Sequence, residues 1–193
     1  GFLNIVTGRM PVEAVKAKAK EYNCTVTAFL TAVLMDVFQD IQEKEKKRKI
    51  RQMPIVINIP VDLRKFYPSK TVSNFFANIN IGLDRALGHY SFAEIVEQVK
   101  HGMALNITEK RVNNLIAGNI ASYQYKVYKV IPMFIKKPFV ILGNYMGGEI
   151  KSTCTMSNLG NMVLPPKMSE YVKGVQAVAG KNFGRVTSCM GVS

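Results

Sequence analysis

Histidine is nearly missing from this 193-residue chain: His89 and His101 are the only two, and neither stands beside a second histidine or an aspartate at a useful spacing. A hydrolytic triad or an acid/base pair needs a group that titrates near neutrality, and imidazole is the usual one. Self-contained acid/base catalysis therefore has little to draw on. Cysteine is as sparse: Cys24, Cys154 and Cys189 are far apart and in no CxxC pair, which signals neither a disulfide framework nor a zinc site. A reducing cytosol fits that usage, and no signal peptide precedes the charged helical sequence near the start. P-loop, glycine-rich dinucleotide, HExxH and EF-hand patterns are all missing, so nucleotide hydrolysis, hydride transfer and metal catalysis have no support. The 13 acidic residues do not suggest a two-carboxylate glycosidase. No long apolar run survives either. Val130 to Met146 is broken by Lys136, Lys137 and Pro138, short of the roughly 18 residues of a membrane span, and reads as a core or interface segment.

What is present is a chain 48% apolar, enough for one good core, with 26 Lys and Arg giving a formal charge of +13. Such charge favours anionic partners without choosing among them. Lys44 to Arg51 concentrates it, but lacks the interleaved aromatics of a single-strand stacking platform, so it reads as a solvated helix end and argues against nucleic acid. Met133, Met146, Met156 and Met168 read as core packing.

Period and punctuation predict an α/β order. Phe2 to Thr7 reads as a strand, and Pro11 opens a helix at its first position that Asn23 stops. Thr25 is an N-cap for a second helix whose apolar stripe comprises Phe29, Val33, Val37 and Ile41 beside Leu30, Leu34 and Phe38. Pro54 to Val61 is apolar on both pleat faces, as in an interior strand. Thr71 to Leu83 alternates, with Asn74, Phe76, Asn78 and Asn80 on an uncharged polar face. Ser91 and Glu94 form a capping box, with Tyr90 stapled to Ile95, and helix is expected from there to about Tyr128 with breaks near Asn106 and Gly118. Gly147-Gly148 then turns the chain into a strand from Lys151 to Ser157, closed by Asn158-Leu159-Gly160, and Val172 to Ala179 and Arg185 to Val192 read as further strands. A start on glycine and a last strand stopping at Ser193 suggest an excised segment whose sheet continues beyond it.

Three stretches carry a family likeness: Ile57-Asn58-Ile59-Pro60-Val61-Asp62-Leu63-Arg64, Ser73-Asn74-Phe75-Phe76-Ala77-Asn78 and Thr155-Met156-Ser157-Asn158-Leu159-Gly160. In order and spacing they resemble the C-terminal halves of alcohol acetyltransferases and nonribosomal peptide synthetase condensation domains, in the chloramphenicol acetyltransferase-like, CoA-dependent acyltransferase superfamily. The resemblance implies that residues 1–193 form one C-terminal lobe of a two-lobe α/β fold, a mixed sheet packed with helices. It implies a tunnel between the lobes, a coenzyme A or phosphopantetheine thioester as donor, and a small alcohol or amine as acceptor, with no metal. The family signature HHxxxDG, whose second histidine is the general base, belongs to the N-terminal lobe and does not occur in these residues. The lobe alone is therefore expected to be inactive, with the N-terminal lobe as its first partner.

The same resemblance assigns roles to individual positions. Arg64 looks like the arginine that pairs with the signature aspartate across the lobes, although its residue type equally suits a loop cation beside Asp62. Asn74, Asn78, Ser157, Asn158 and Gly160 would border the tunnel, Asn78 orienting substrate and Ser157 or Asn158 donating to the oxyanion. A solvent-facing strand position for Asn78, and a purely geometric turn at Asn158 and Gly160, are the competing readings. A different class also remains open: a non-catalytic module whose basic surface contacts nucleic acid, membrane or protein.

Overall fold

The computed structural model describes residues 4–47, 50, 52–71, 73–124, 132, 137–138, 152–161, 164–172, 174–178 and 187–192. Two helices come first, α1 (Val12–Glu21) and α2 (Val26–Glu43). Pro11 is the N-cap of α1, one position earlier than predicted. Asn23 ends the turn with φ 50°, a left-handed conformation that asparagine tolerates better than most residues. The Thr25 hydroxyl then accepts the Ala28 amide at 3.2 Å and starts α2.

The fully buried stripe of α2 is Ala28, Thr31, Ala32, Met35 and Gln39, rotated from the predicted one. Val37 and Ile41 are about half exposed, at 47% and 51%, while Leu30, Leu34 and Phe38 flank the contact. Ala28 and Ala32 let the first half of the helix lie close to the sheet, and Met35 fills the space further along.

Strands β1 (Ile55–Asp62) and β2 (Phe76–Leu83) pair antiparallel over their whole length, Ile55 opposite Leu83 and Asp62 opposite Phe76. The capping box of Ser91 and Glu94 opens α3 (Phe92–Asn106), and α4 (Glu109–Gln124) follows. The break near Asn106 is real; Gly118 lies inside α4, and the residues after 124 that were expected to extend it fall outside the described set. Later come β3 (Cys154–Asn158), a single turn α5 (Pro166–Ser169) and β4 (Thr187–Gly191). The sheet order is β2-β1-β3-β4, with β3 and β4 parallel to β1, so the α/β fold with a mixed sheet and packed helices is as expected.

Some predicted strands differ. Residues 4–10 have no regular structure, and Ile5 and Val6 are exposed: the apolar run finds no ladder among the described residues. β2 begins at Phe76 because the preceding segment is tied by side chains, Ser69 Oγ accepting the Thr71 amide and Thr71 Oγ1 the Ser73 amide, which compete with a ladder. Residues 172 and 174–178 are irregular, with Val178 exposed. Of the methionines read as core, Met156 is buried and Met168 exposed; Met133, Met146, Gly147-Gly148 and most of Val130 to Met146 lie outside the described residues. Among the described residues no single helix is long and apolar enough to cross a membrane.

Alternation along the strands sorts the sheet into two faces. Ile55, Ile57, Ile59 and Val61 with Ile79, Ile81, Leu83, Cys154 and Met156 form the first, packed on Ala28, Ala32 and Met35 of α2 and Ile95, Val96 and Val99 of α3. Each large aliphatic side chain so buried contributes about 1.5–3 kcal/mol. Val112 of α4 joins Leu63 and Ala77 in a smaller cluster on that side.

A polar network fastens the far end of this layer. Gln39 is fully buried; its Nε2 donates to the Tyr90 carbonyl at 2.9 Å, and its Oε1 accepts the Tyr90 amide at 3.0 Å and Arg85 Nη1 at 2.6 Å. Arg85, its side chain only 5% exposed, also donates to the Gly88 carbonyl and, at 2.9 Å, to Glu43. His89 Nδ1 meets the same Glu43 oxygen at 2.6 Å.

Gln39→Met keeps the volume and removes the amide, leaving Arg85 and the Tyr90 amide short of partners indoors. Denaturant melts should show a loss of about 2–4 kcal/mol, and a loss well under 1 kcal/mol would contradict the structural role given to this network. The His89 hydrogen bond, helped by Arg85 and opposed by partial burial, holds the Glu43 carboxyl below the usual carboxylate range. A carboxyl depressed by folding adds stability above its unfolded pKa, and that stability is lost as pH falls through the folded value. Glu43→Gln should therefore cost most near neutrality, with parent and variant converging in acid; a constant gap down to the acid transition would contradict the ion pairing.

Candidate functional site

Strand direction collects the predicted positions at one end of the sheet. β1, β3 and β4 all run toward it and β2 starts from it, so Asp62 faces Phe76, and Asn158 faces Gly191. In open α/β sheets this carboxyl end of the parallel strands is where ligands are bound. Arg64, Asn74, Ser157, Asn158 and Gly160 all lie there, and Asn78 is two residues inside β2.

Arg64 follows β1 in a short 3-10 turn whose N-cap is Asp62. Its Nη1 donates to Asp62 at 3.1 Å, and its Nη2 to the Thr71 and Ser73 carbonyls at 2.9 and 3.1 Å. The guanidinium carbon stands 5.9 Å from the centre of the Phe75 ring. Arg64 thus closes its own loop and holds the chain that enters β2, a task for a planar fork that reaches several oxygens at once. The Arg64 amide, and secondarily its guanidinium, keep the Asp62 carboxyl below its ordinary range. Asn74 is exposed in the held loop.

Ser157 and Asn158 diverge, because neighbours along a strand point to opposite faces. Asn158 Nδ2 donates to Thr27 Oγ1 at the start of α2, at 3.1 Å, and its Oδ1 accepts the Gly160 amide at 3.1 Å. Gly160 has φ 69°, which its lack of Cβ permits. Asn158 and Gly160 build the turn on the helix side. Ser157 lies on the second face, half-buried, across from Met190.

That second face brings together what the sequence left scattered. Register aligns Asn80, Asn58, Thr155 and Ser188 in one row across all four strands, and Asn78 lies opposite Pro60 in the next row toward the strand ends. Asn58 is only 7% exposed, and its Nδ2 donates to Asn80 Oδ1 at 2.8 Å. Asn58, Thr155 and Ser188 were not singled out from sequence. Their pairings span just under a hundred residues between β1 and β3 and some thirty between β3 and β4, and only the assembled register shows them as neighbours.

Chemically, this face can orient and polarise. Amides and hydroxyls donate and accept hydrogen bonds without carrying charge, and none of them titrates near neutrality, so none is a general base. The two histidines lie elsewhere. His89 follows the opposite end of β2 and pairs with Glu43; His101, on α3, has its Nε2 4.0 Å from Glu97. Among the described residues no three His, Cys, Asp or Glu side chains gather as a metal site would.

A model of the alcohol acetyltransferase family matches residues 2–173, which takes in every described helix and all described strands but β4. Comparison with curated proteins gives no match.

If Arg64 ties the loop, Arg64→Lys, which cannot bridge Asp62 and two carbonyls together, should speed hydrogen exchange at the Leu63 amide, which donates to the Phe75 carbonyl. The expected gain is about fivefold to tenfold, matching the ~1 kcal/mol of a lost hydrogen bond. Unchanged exchange would mean that the loop is held by other means.

Proposed function

The chain belongs to the alcohol acetyltransferase family, and from that premise we propose that its second sheet face forms one wall of a cleft in which a thioester acylates a small alcohol. Acyl transfer is the reaction class that membership brings. The observation that supports this wall is the uncharged hydrogen-bonding row of Asn80, Asn58, Thr155 and Ser188, with Asn78 and Ser157 nearer the strand ends.

Acylation of a hydroxyl needs a base for its proton and donors for the oxygen that becomes negative. Ser157 and Asn78 are suited to the second task and the orientation of substrate. The base would be the second histidine of HHxxxDG, supplied by an N-terminal lobe. Two facts favour that division: the motif does not occur in these 193 residues, and His89 and His101 stand away from the strand ends. Arg64, already braced at the rim, would meet the signature aspartate of that lobe while keeping its loop. The donor would be coenzyme A or a carrier-borne phosphopantetheine, whose phosphates the +13 charge attracts.

In a polypeptide joining this chain to a lobe that carries the motif, Ser157→Ala should lower kcat by about a hundredfold, the scale of one lost oxyanion donor. Asn78→Ala should act more on KM. Free thiol released from acetyl-coenzyme A in the presence of a short-chain alcohol is the readout, and the 193-residue chain by itself should release none above background. Full activity in both variants would remove the wall; turnover by the isolated chain would remove the need for an outside base.

A further inference from the structure

On the helix side of the sheet, away from the face just described, the α1–α2 turn and the second half of α3 border a shallow, open groove of about 670 Å³. That lies within the roughly 300–1,000 Å³ of small-molecule sites. Its floor is apolar, built from Ala28 of α2, Met103 of α3 and Ile107 just after that helix, side chains in or packed on the main core. Two cations border it, Lys20 near the end of α1 and Lys100 on α3.

The two lysines are not equivalent. Lys100 Nζ is bonded to Glu97 at 2.7 Å and its side chain is 28% exposed, so it is held at the groove on a stem that is mostly covered. Cys24, also in the lining, has its thiol pKa pushed up by burial, the larger effect, while the Lys100 charge pulls it down and that of Glu97 opposes Lys100. Lys20 is exposed at the groove's edge, its charge also felt by Glu13 earlier on the same helix.

We propose that this groove binds a small organic monocarboxylate with an aliphatic or aromatic body, its carboxylate between Lys20 and Lys100 and its body on Ala28, Met103 and Ile107. Charge complementarity selects an anion, and the apolar floor selects one with a hydrocarbon body over a bare phosphate, which would leave that floor uncovered. One negative charge is what the site can balance, since Glu97 already occupies part of the Lys100 ammonium. The site is independent of the acyltransfer cleft: it lies across the sheet and shares no residue with it.

Octanoate is a suitable probe, followed by titration calorimetry and by mass-spectrometric alkylation of Cys24. Saturable binding is expected, with Cys24 protected as the site fills. Lys100→Gln should weaken binding about tenfold, the scale of one charge-assisted hydrogen bond, and Ala104→Trp, which fills the groove from an exposed helix position, should abolish it. Glu97→Gln should tighten it by releasing Lys100, a change of sign that damage to the fold would not produce. Octanol binding as tightly as octanoate, or affinity indifferent to Lys100 and Glu97, would overturn the proposal. So would a folded protein that does not bind octanoate, or inorganic phosphate competing at equal concentration.

Discussion

The two-sided character of β1 is the constraint on which the rest of this structure depends. It lies between β2 and β3 in the sheet, antiparallel to the first and parallel to the second, and so joins the hairpin to the parallel strands. One side presents Ile55, Ile57, Ile59 and Val61 to the helices, and the other carries Asn58. A slip of one residue would exchange the sides, driving Asn58 into the hydrocarbon core and the isoleucines out of it. The Asn58–Asn80 hydrogen bond rewards the observed register on the polar side, as isoleucine packing does on the other.

Function inherits that division. Among the described residues helices pack on the first side of the sheet, the second carries amides and hydroxyls alongside Val56, Pro60, Phe76 and Met190, and parallel strands carry Arg64 and Ser157 to one rim. Such a row of side chains can orient an ester-forming pair and stabilise charge as it develops, but neither of the two histidines lies on it. The proposed second lobe would supply the imidazole that acyl transfer by this family needs and that these residues do not place at the face. The helix side keeps its own chemistry, with lysines over an apolar groove.

Local signals in the sequence were good guides to where helices begin. Thr25 and the Ser91–Glu94 box satisfy amide donors within a few residues, so their effect is decided nearby, and the continuous apolar run of β1 identified the central strand for similar reasons. Signals that need a distant partner were not legible. Phe2 to Thr7 has strand composition, but 4–10 pairs with nothing described, and Val172 to Ala179 fares likewise over its described residues. The α2 stripe was misplaced because small residues at a close contact look less hydrophobic than the Val and Ile left outside it. Among the site residues, grouping Arg64, Ser157 and Asn158 at one sheet end followed from motif likeness. The pairing of Arg64 with Asp62 matches the loop-cation alternative read from the sequence, whereas the turning of Asn158 onto Thr27 and of His89 onto Glu43 are long-range facts that spacing does not contain.

The central claim is that the second face, and not the helix layer, receives the acyl donor. Side-chain and backbone amide shifts followed by NMR, while a non-reactive thioether analogue of acetyl-coenzyme A is added, test this directly. Perturbations centred on Asn58, Asn78, Asn80, Thr155 and Ser157 are predicted. Shifts confined to α1, α2 and α3, with that row unmoved, would contradict it.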